Sequence, residues 1–111
     1  MSNTKNLFTD IPQDLDTEVF DTLLQSGDTR IERIISKGHK SPESGWYDQE
    51  QHEWVMLLEG AATITFESGK ETNLNKGDYL NIPAHTKHKV LWTDPSCETI
   101  WLAVFYEDKK A

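Results

Sequence analysis

A single cysteine, Cys97, leaves this chain without an internal disulfide. It stands among Asp94, Pro95, Ser96 and Glu98 in what reads as a turn, where carboxylates oppose a thiolate, so an incidental thiol is expected. Basic residues are also few: 11 Lys and Arg against 19 Asp and Glu give a formal charge of −8. That balance repels phosphate backbones and anionic lipid surfaces, which argues against nucleic acid and membrane as partners. No apolar run approaches the roughly 20 residues of a bilayer span, and Met1-Ser2-Asn3-Thr4-Lys5 lacks the apolar stretch of a signal peptide. A cytoplasmic location is the expectation. Glycine-rich phosphate loops, cysteine-based zinc patterns, a His-Glu-x-x-His helix and a nucleophile-elbow serine are all missing, as are repeats and low-complexity segments.

What remains is a chain of 111 residues, enough for one core and too short for two. Residues 1–16, with Asn, Asp, Gln and Pro12 around a few apolar side chains, read as an N-terminal arm that docks through Leu7, Phe8, Ile11 and Leu15. Residues 17–106 read as the domain and 107–111 as a solvated tail. Within the domain the hydrophobic period is two. Glu18–Gln25 and Arg30–Ser36 flank a three-residue loop, Ser26-Gly27-Asp28. Trp54–Glu59, Ala61–Glu67, Glu71–Leu74, Tyr79–Ile82, Lys87–Thr93 and Glu98–Tyr106 follow, most separated by Gly, Asn, Asp or Ser. Eight short strands with such turns predict an all-β, antiparallel sandwich or small barrel. One competing pattern, Leu15, Val19, Phe20, Leu23 and Leu24 at three-to-four spacing, allows a helix over Asp14–Leu24, although Thr17, Val19, Phe20 and Thr22 favour a strand.

Two segments carry the chemistry. In Glu53-Trp-Val-Met-Leu-Leu-Glu-Gly60 six residues separate the acid from the glycine, and in Gly77-Asp-Tyr-Leu-Asn-Ile-Pro83-Ala-His85-Thr-Lys-His88 five separate Gly77 from Pro83. These spacings resemble the two cupin motifs, G-x5-H-x-H-x3–4-E-x6-G and G-x5-P-x-G-x2-H-x3-N, over about residues 30–106. Glu53, Gly60, Gly77, Pro83 and His88 fall on motif positions. The H-x-H pair is absent, His85 replaces a glycine, and Trp92 replaces the final asparagine. The resemblance implies a jelly-roll barrel with a divalent ion (Mn, Fe, Ni or Zn) bound inside.

Strand parity adds to this. His88 shares a face with Val90 and Trp92, and Glu53 shares one with Val55 and Leu57, so both are expected to point into the barrel. An unpaired interior carboxylate costs several kcal/mol, roughly, which a cation or an imidazolium would offset. With a gap of three residues before Glu53 the vacant histidine slots hold Tyr47 and Gln49; with a gap of four they hold Trp46 and Asp48. The expected metal ligands are therefore His88, Glu53 and Gln49, with Asp48 the other candidate oxygen donor. Oxygen donors in place of imidazole favour harder ions such as Mn. Tyr47, Asp48 and His85 are expected around the pocket, and His52 and His39 at the surface. The functional expectation is a small-molecule site, metal-assisted; a sensing module without metal and a metal-free isomerase using His88, Tyr47 and Glu53 are the alternatives. The tryptophan content, open strand edges and the habit of the family imply a homodimer.

Overall fold

In a computed structural model, residues 4–108 are described. They form eight strands: β1 (Val19–Ser26), β2 (Thr29–Ser36), β3 (His52–Glu59), β4 (Ala61–Phe66), β5 (Glu71–Asn75), β6 (Tyr79–Ile82), β7 (His88–Thr93) and β8 (Thr99–Tyr106). All pairings are antiparallel, in a five-stranded sheet of order β1-β2-β8-β3-β6 and a three-stranded sheet of order β5-β4-β7. This is the jelly-roll arrangement expected. The Asp14–Leu24 segment enters β1 at Val19 and forms no helix. Its apolar spacing is overruled by pairing with β2 from Val19↔Ile35 to Ser26↔Thr29, with an irregularity between Thr22 and Leu24. That register leaves only Gly27 and Asp28 in the turn, one residue fewer than the sequence suggested. Gly27 supplies the positive φ, 54°, that tight hairpins need.

Between the sheets lies one core, built from Val55 and Leu57 of β3, Trp101, Ala103 and Phe105 of β8, Ile82 of β6, and Ala62, Ile64 and Leu74 of the smaller sheet. β8 sits at the centre of its sheet, which explains why Thr99–Tyr106 reads as an almost unbroken apolar run. Gly60, at φ 91°, makes the corner where the chain crosses from β3 to β4. A Cβ there would lie 2.7 Å from Thr99 Cα and 2.9 Å from the Glu98 carbonyl oxygen, so only glycine fits.

The segment before β1 is tied down mainly by hydrogen bonds. Arg33, on the outer face of β2 and almost wholly buried, donates to the carbonyls of Leu7 (3.0 Å) and Thr9 (2.7 Å) and to the Asp21 carboxylate (2.8 Å). Leu7, Ile11 and Leu15 are half-buried, whereas Phe8 stays exposed. Residues 1–3 of the arm and 109–111 of the tail lie outside the described residues.

One strand departs from the expected parity. Across β4 and β7, Thr63 pairs with Trp92 but Ile64 pairs with Val90, which leaves Leu91 as a bulge. The extra residue inverts the faces beyond it, so Thr93 is buried and Trp92 is 44% exposed. Trp92 therefore does not share the inner face of His88.

Candidate functional site

β3 and β7 carry the two motif side chains from opposite sheets into one cavity of about 320 Å³. Glu53 and His88 both line it, with Tyr47, Gln49, Val90 and Trp101. Gln49 and Tyr47 belong to no strand, and their placement comes from backbone stitching. Tyr47 exchanges both backbone hydrogen bonds with His88 (2.8 and 3.2 Å), and the His85 amide donates to the Gln49 carbonyl (2.8 Å). The 47–49 segment is thus clamped to the 85–88 segment, and Gln49 reaches Glu53. His85 takes φ 61° in a turn where the motif has glycine, a conformation histidine tolerates better than most residues.

The inner polar cluster is compact. Gln49 Nε2 donates to Glu53 Oε1 at 3.0 Å; since a carboxylate only accepts, this fixes the amide orientation. His88 Nε2 lies 3.5 Å from the same oxygen, with both side chains largely buried. On the other side of the ring, Nδ1 lies 2.8 Å from the Thr86 carbonyl, which can only accept, so Nδ1 carries a proton. Nε2, the ring's other nitrogen, faces Glu53 and is the atom that gains or loses the titrating proton. Burial works to lower the His88 pKa, but the Glu53 hydrogen bond and charge, with the Thr86 carbonyl, outweigh it and raise it above the ordinary histidine value. The ring also packs near Phe66 and Tyr47, at centroid distances of 6.2 and 5.8 Å.

The other expected residues separate from this cluster. Asp48 and His85 pair with each other at 2.9 Å, both exposed and neither lining the cavity. His52, expected at the surface, is half-buried on the opposite face of β3 from Glu53. Its Nδ1 accepts from the Ala84 amide at 2.9 Å and its Nε2 meets Asp108 Oδ2 at 3.0 Å. His39 Nδ1 accepts from the Lys37 amide. Three cavity residues escaped sequence reasoning: Glu18, Arg30 and Glu32. Glu18 accepts from the fully buried Ser36 hydroxyl at 2.6 Å. Arg30 and Glu32 share a face of β2 with Ile34, and that alternation was the available signal. It was masked by Ile31 and Ile35, which mark the other face as equally apolar.

Residues 33–105 match the Cupin domain family, and the chain belongs to it. Among solved structures, a protein from Ralstonia eutropha JMP134, provisionally named a mannose-6-phosphate isomerase, is 42% identical. The match covers 96% of this chain and 100% of that one, with a TM-score of 0.91. A cupin superfamily protein from Desulfitobacterium hafniense DCB-2 is 21% identical over 88% of this chain and 84% of its own, with a TM-score of 0.72. An RmlC-like cupin from Methanocaldococcus jannaschii, described as a double-stranded β-helix, is 18% identical over 87% of this chain and 86% of its own, with a TM-score of 0.68. The latter two share the fold alone. No curated protein matches the chain.

Cupins often bind metal ions, so the donor set bears testing. A divalent ion here would take Glu53 and His88. Gln49 turns its amide nitrogen, not its oxygen, toward them, and among the described residues no group of three or more His, Cys, Asp or Glu converges. Two firm donors fall short of the three or four protein ligands of a tetrahedral site, and the set does not fit a resident ion.

Proposed function

We propose that this cupin binds a small organic molecule in its cavity and moves a proton on it with Glu53 and His88, as an isomerase does. The observation that carries the reading is the contact between Glu53 Oε1 and His88 Nε2, in a cavity otherwise walled largely by apolar side chains. Both Gln49 and His88 approach the same carboxylate oxygen, Oε1, and among the described residues no hydrogen bond uses Oε2. Glu53 and the Thr86 carbonyl raise the His88 pKa against the opposing effect of burial, which favours the protonated ring as the matching acid. In the forward half-reaction Glu53 takes the proton from a carbon beside a carbonyl, and His88 Nε2 gives its proton to the carbonyl oxygen, forming an enediol. In the second half, His88 takes the proton of the neighbouring hydroxyl while Glu53 returns its proton to the former carbonyl carbon. Both residues regain their starting states, and aldehyde and ketone have exchanged places. Gln49 acts as a positioning residue and Tyr47 as a wall.

The name carried by the Ralstonia eutropha relative, 42% identical, supports an aldose–ketose interconversion as the first chemistry to try. The test is proton exchange: mannose 6-phosphate and fructose 6-phosphate, with unphosphorylated hydroxy-ketones, are incubated in D2O and followed by NMR. Deuterium should enter the carbon beside the carbonyl with wild-type protein and not with Glu53→Gln. Exchange unchanged by Glu53→Gln, or absent from every compound, would leave a ligand-binding module as the better account. Elemental analysis of protein purified without an affinity tag tests the donor-set argument; a stoichiometric divalent ion lost in His88→Ala would contradict it.

A further inference from the structure

Arg30 lies in the same cavity but plays no part in the proton-transfer pair. In the strand register Arg30 pairs with Phe105, and Phe105 pairs with Glu53, so the three form one row across β2, β8 and β3. Two strand spacings put the Arg30 and Glu53 backbones about 10 Å apart. Within that row the guanidinium carbon sits 4.3 Å over the Phe105 ring. Nε is shielded from solvent and lies 2.9 Å from Glu32 Oε2, yet it makes no hydrogen bond. Among the described residues no hydrogen bond uses the two terminal nitrogens either. A third of the side chain remains exposed, 36%. The residue is thus a guanidinium seated over an aromatic ring, with its outer edge unspent.

We propose that Arg30 anchors a terminal oxyanion, carboxylate or phosphate, of the small molecule on which Glu53 and His88 act. The chemistry follows from geometry. A guanidinium offers two edges for bidentate contact, and Glu32 occupies only the Nε side. Two of the neighbouring acids have other partners, Glu18 in Ser36 and Glu53 in Gln49 and His88, while Glu32 faces the Nε side of Arg30. Seated over Phe105, the guanidinium lies between β2 and Glu53 along the row, so an anion on its outer edge shares the cavity with the reacting carbon. The proposal rests on reading the Glu53–His88 cavity as a small-molecule site, and it adds the charge class of the ligand.

Isothermal titration with fructose 6-phosphate, gluconate and neutral fructose tests it. At least one of the two anions should bind more tightly than fructose, and which one does identifies the oxyanion. Arg30→Gln should weaken that anion about 10- to 100-fold while leaving fructose unchanged, and Arg30→Lys should recover part of the loss. Should Arg30→Gln fail to fold, the Arg30 Nε–H resonance of wild-type protein gives the same answer, because it must shift with the anion and not with fructose. Binding of neither anion at millimolar concentration, equal affinity for fructose, or an Arg30→Gln variant with intact anion affinity would overturn it. The two readings fail separately. Glu53→Gln should abolish deuterium exchange yet keep anion affinity, so tight anion binding without exchange removes only the proton-transfer role. Exchange without anion preference removes only the anchor.

Discussion

Replacing Glu53 by Gln keeps the side chain's shape and removes its charge, so it isolates the electrostatic part of the pair with His88. Both groups are largely buried, 12% and 7% exposed, and solvent screens them little. At 3.5 Å the pair is an ion pair longer than a hydrogen bond, and it contributes about 1 kcal/mol. For a chain of this size that corresponds to a fall in Tm of about 4 °C. The loss must depend on pH. His88 has its pKa raised in the folded protein, so the stability it contributes is fully present below the unfolded histidine value, about 6.5, and is lost as pH rises through the folded value. Differential scanning calorimetry at pH 5.5 and pH 9 therefore should show a large wild-type advantage at the lower pH and a much smaller one at the higher. An equal deficit at both, or a larger one at pH 9, would refute the reasoning, because it would mean that Glu53 stabilises without a protonated His88.

Arg33→Met removes the donors to the Leu7 and Thr9 carbonyls and to the partly exposed Asp21 carboxylate, and should cost about 2 kcal/mol in urea denaturation. It should also speed chymotrypsin cleavage after Leu7 and Phe8 by loosening the backbone there; unchanged cleavage would mean that the arm is held otherwise. Gly60→Ala combines backbone strain at φ 91° with the overlap against Thr99 and Glu98, for a loss of about 3 kcal/mol, and a loss below about 1 kcal/mol would show that the corner can relax. The exposed Phe20, Leu23 and Leu24 on the edge strand β1 support the proposal of a homodimer. Sedimentation at micromolar concentration should give twice 12.8 kDa, and a 12.8 kDa species would reject it.

The strands were legible because alternation and turn chemistry coincide in this chain: Tyr79–Ile82 falls where the sequence placed it, and the other seven differ by at most two residues at an end. Glu53 and His88 were legible for a different reason, since a carboxylate and an imidazole on otherwise apolar faces announce an interior site. That Gln49 joins Glu53 required knowing how the 47–49 segment is stitched to the 85–88 segment, and that depends on contacts nearly 40 residues apart in sequence. Parity reasoning failed at Trp92 because it assumes an unbroken ladder, and the Leu91 bulge leaves no mark in residue type. It also passed over Arg30 and Glu32. β2 is covered on its outer face by the N-terminal arm, so Ile31, Arg33 and Ile35 looked like the core side while the charged face turned toward the cavity.

The central claim is that His88 holds a proton against Glu53 inside the cavity. Nitrogen-15 NMR of the His88 ring across pH 5 to 9 tests it most directly. The account predicts a proton on Nδ1 throughout, a titration of Nε2 above the ordinary histidine value, and a fall of that titration point in Glu53→Gln. A ring that titrates at or below the ordinary value in wild type, or one that ignores the Glu53 substitution, would contradict it.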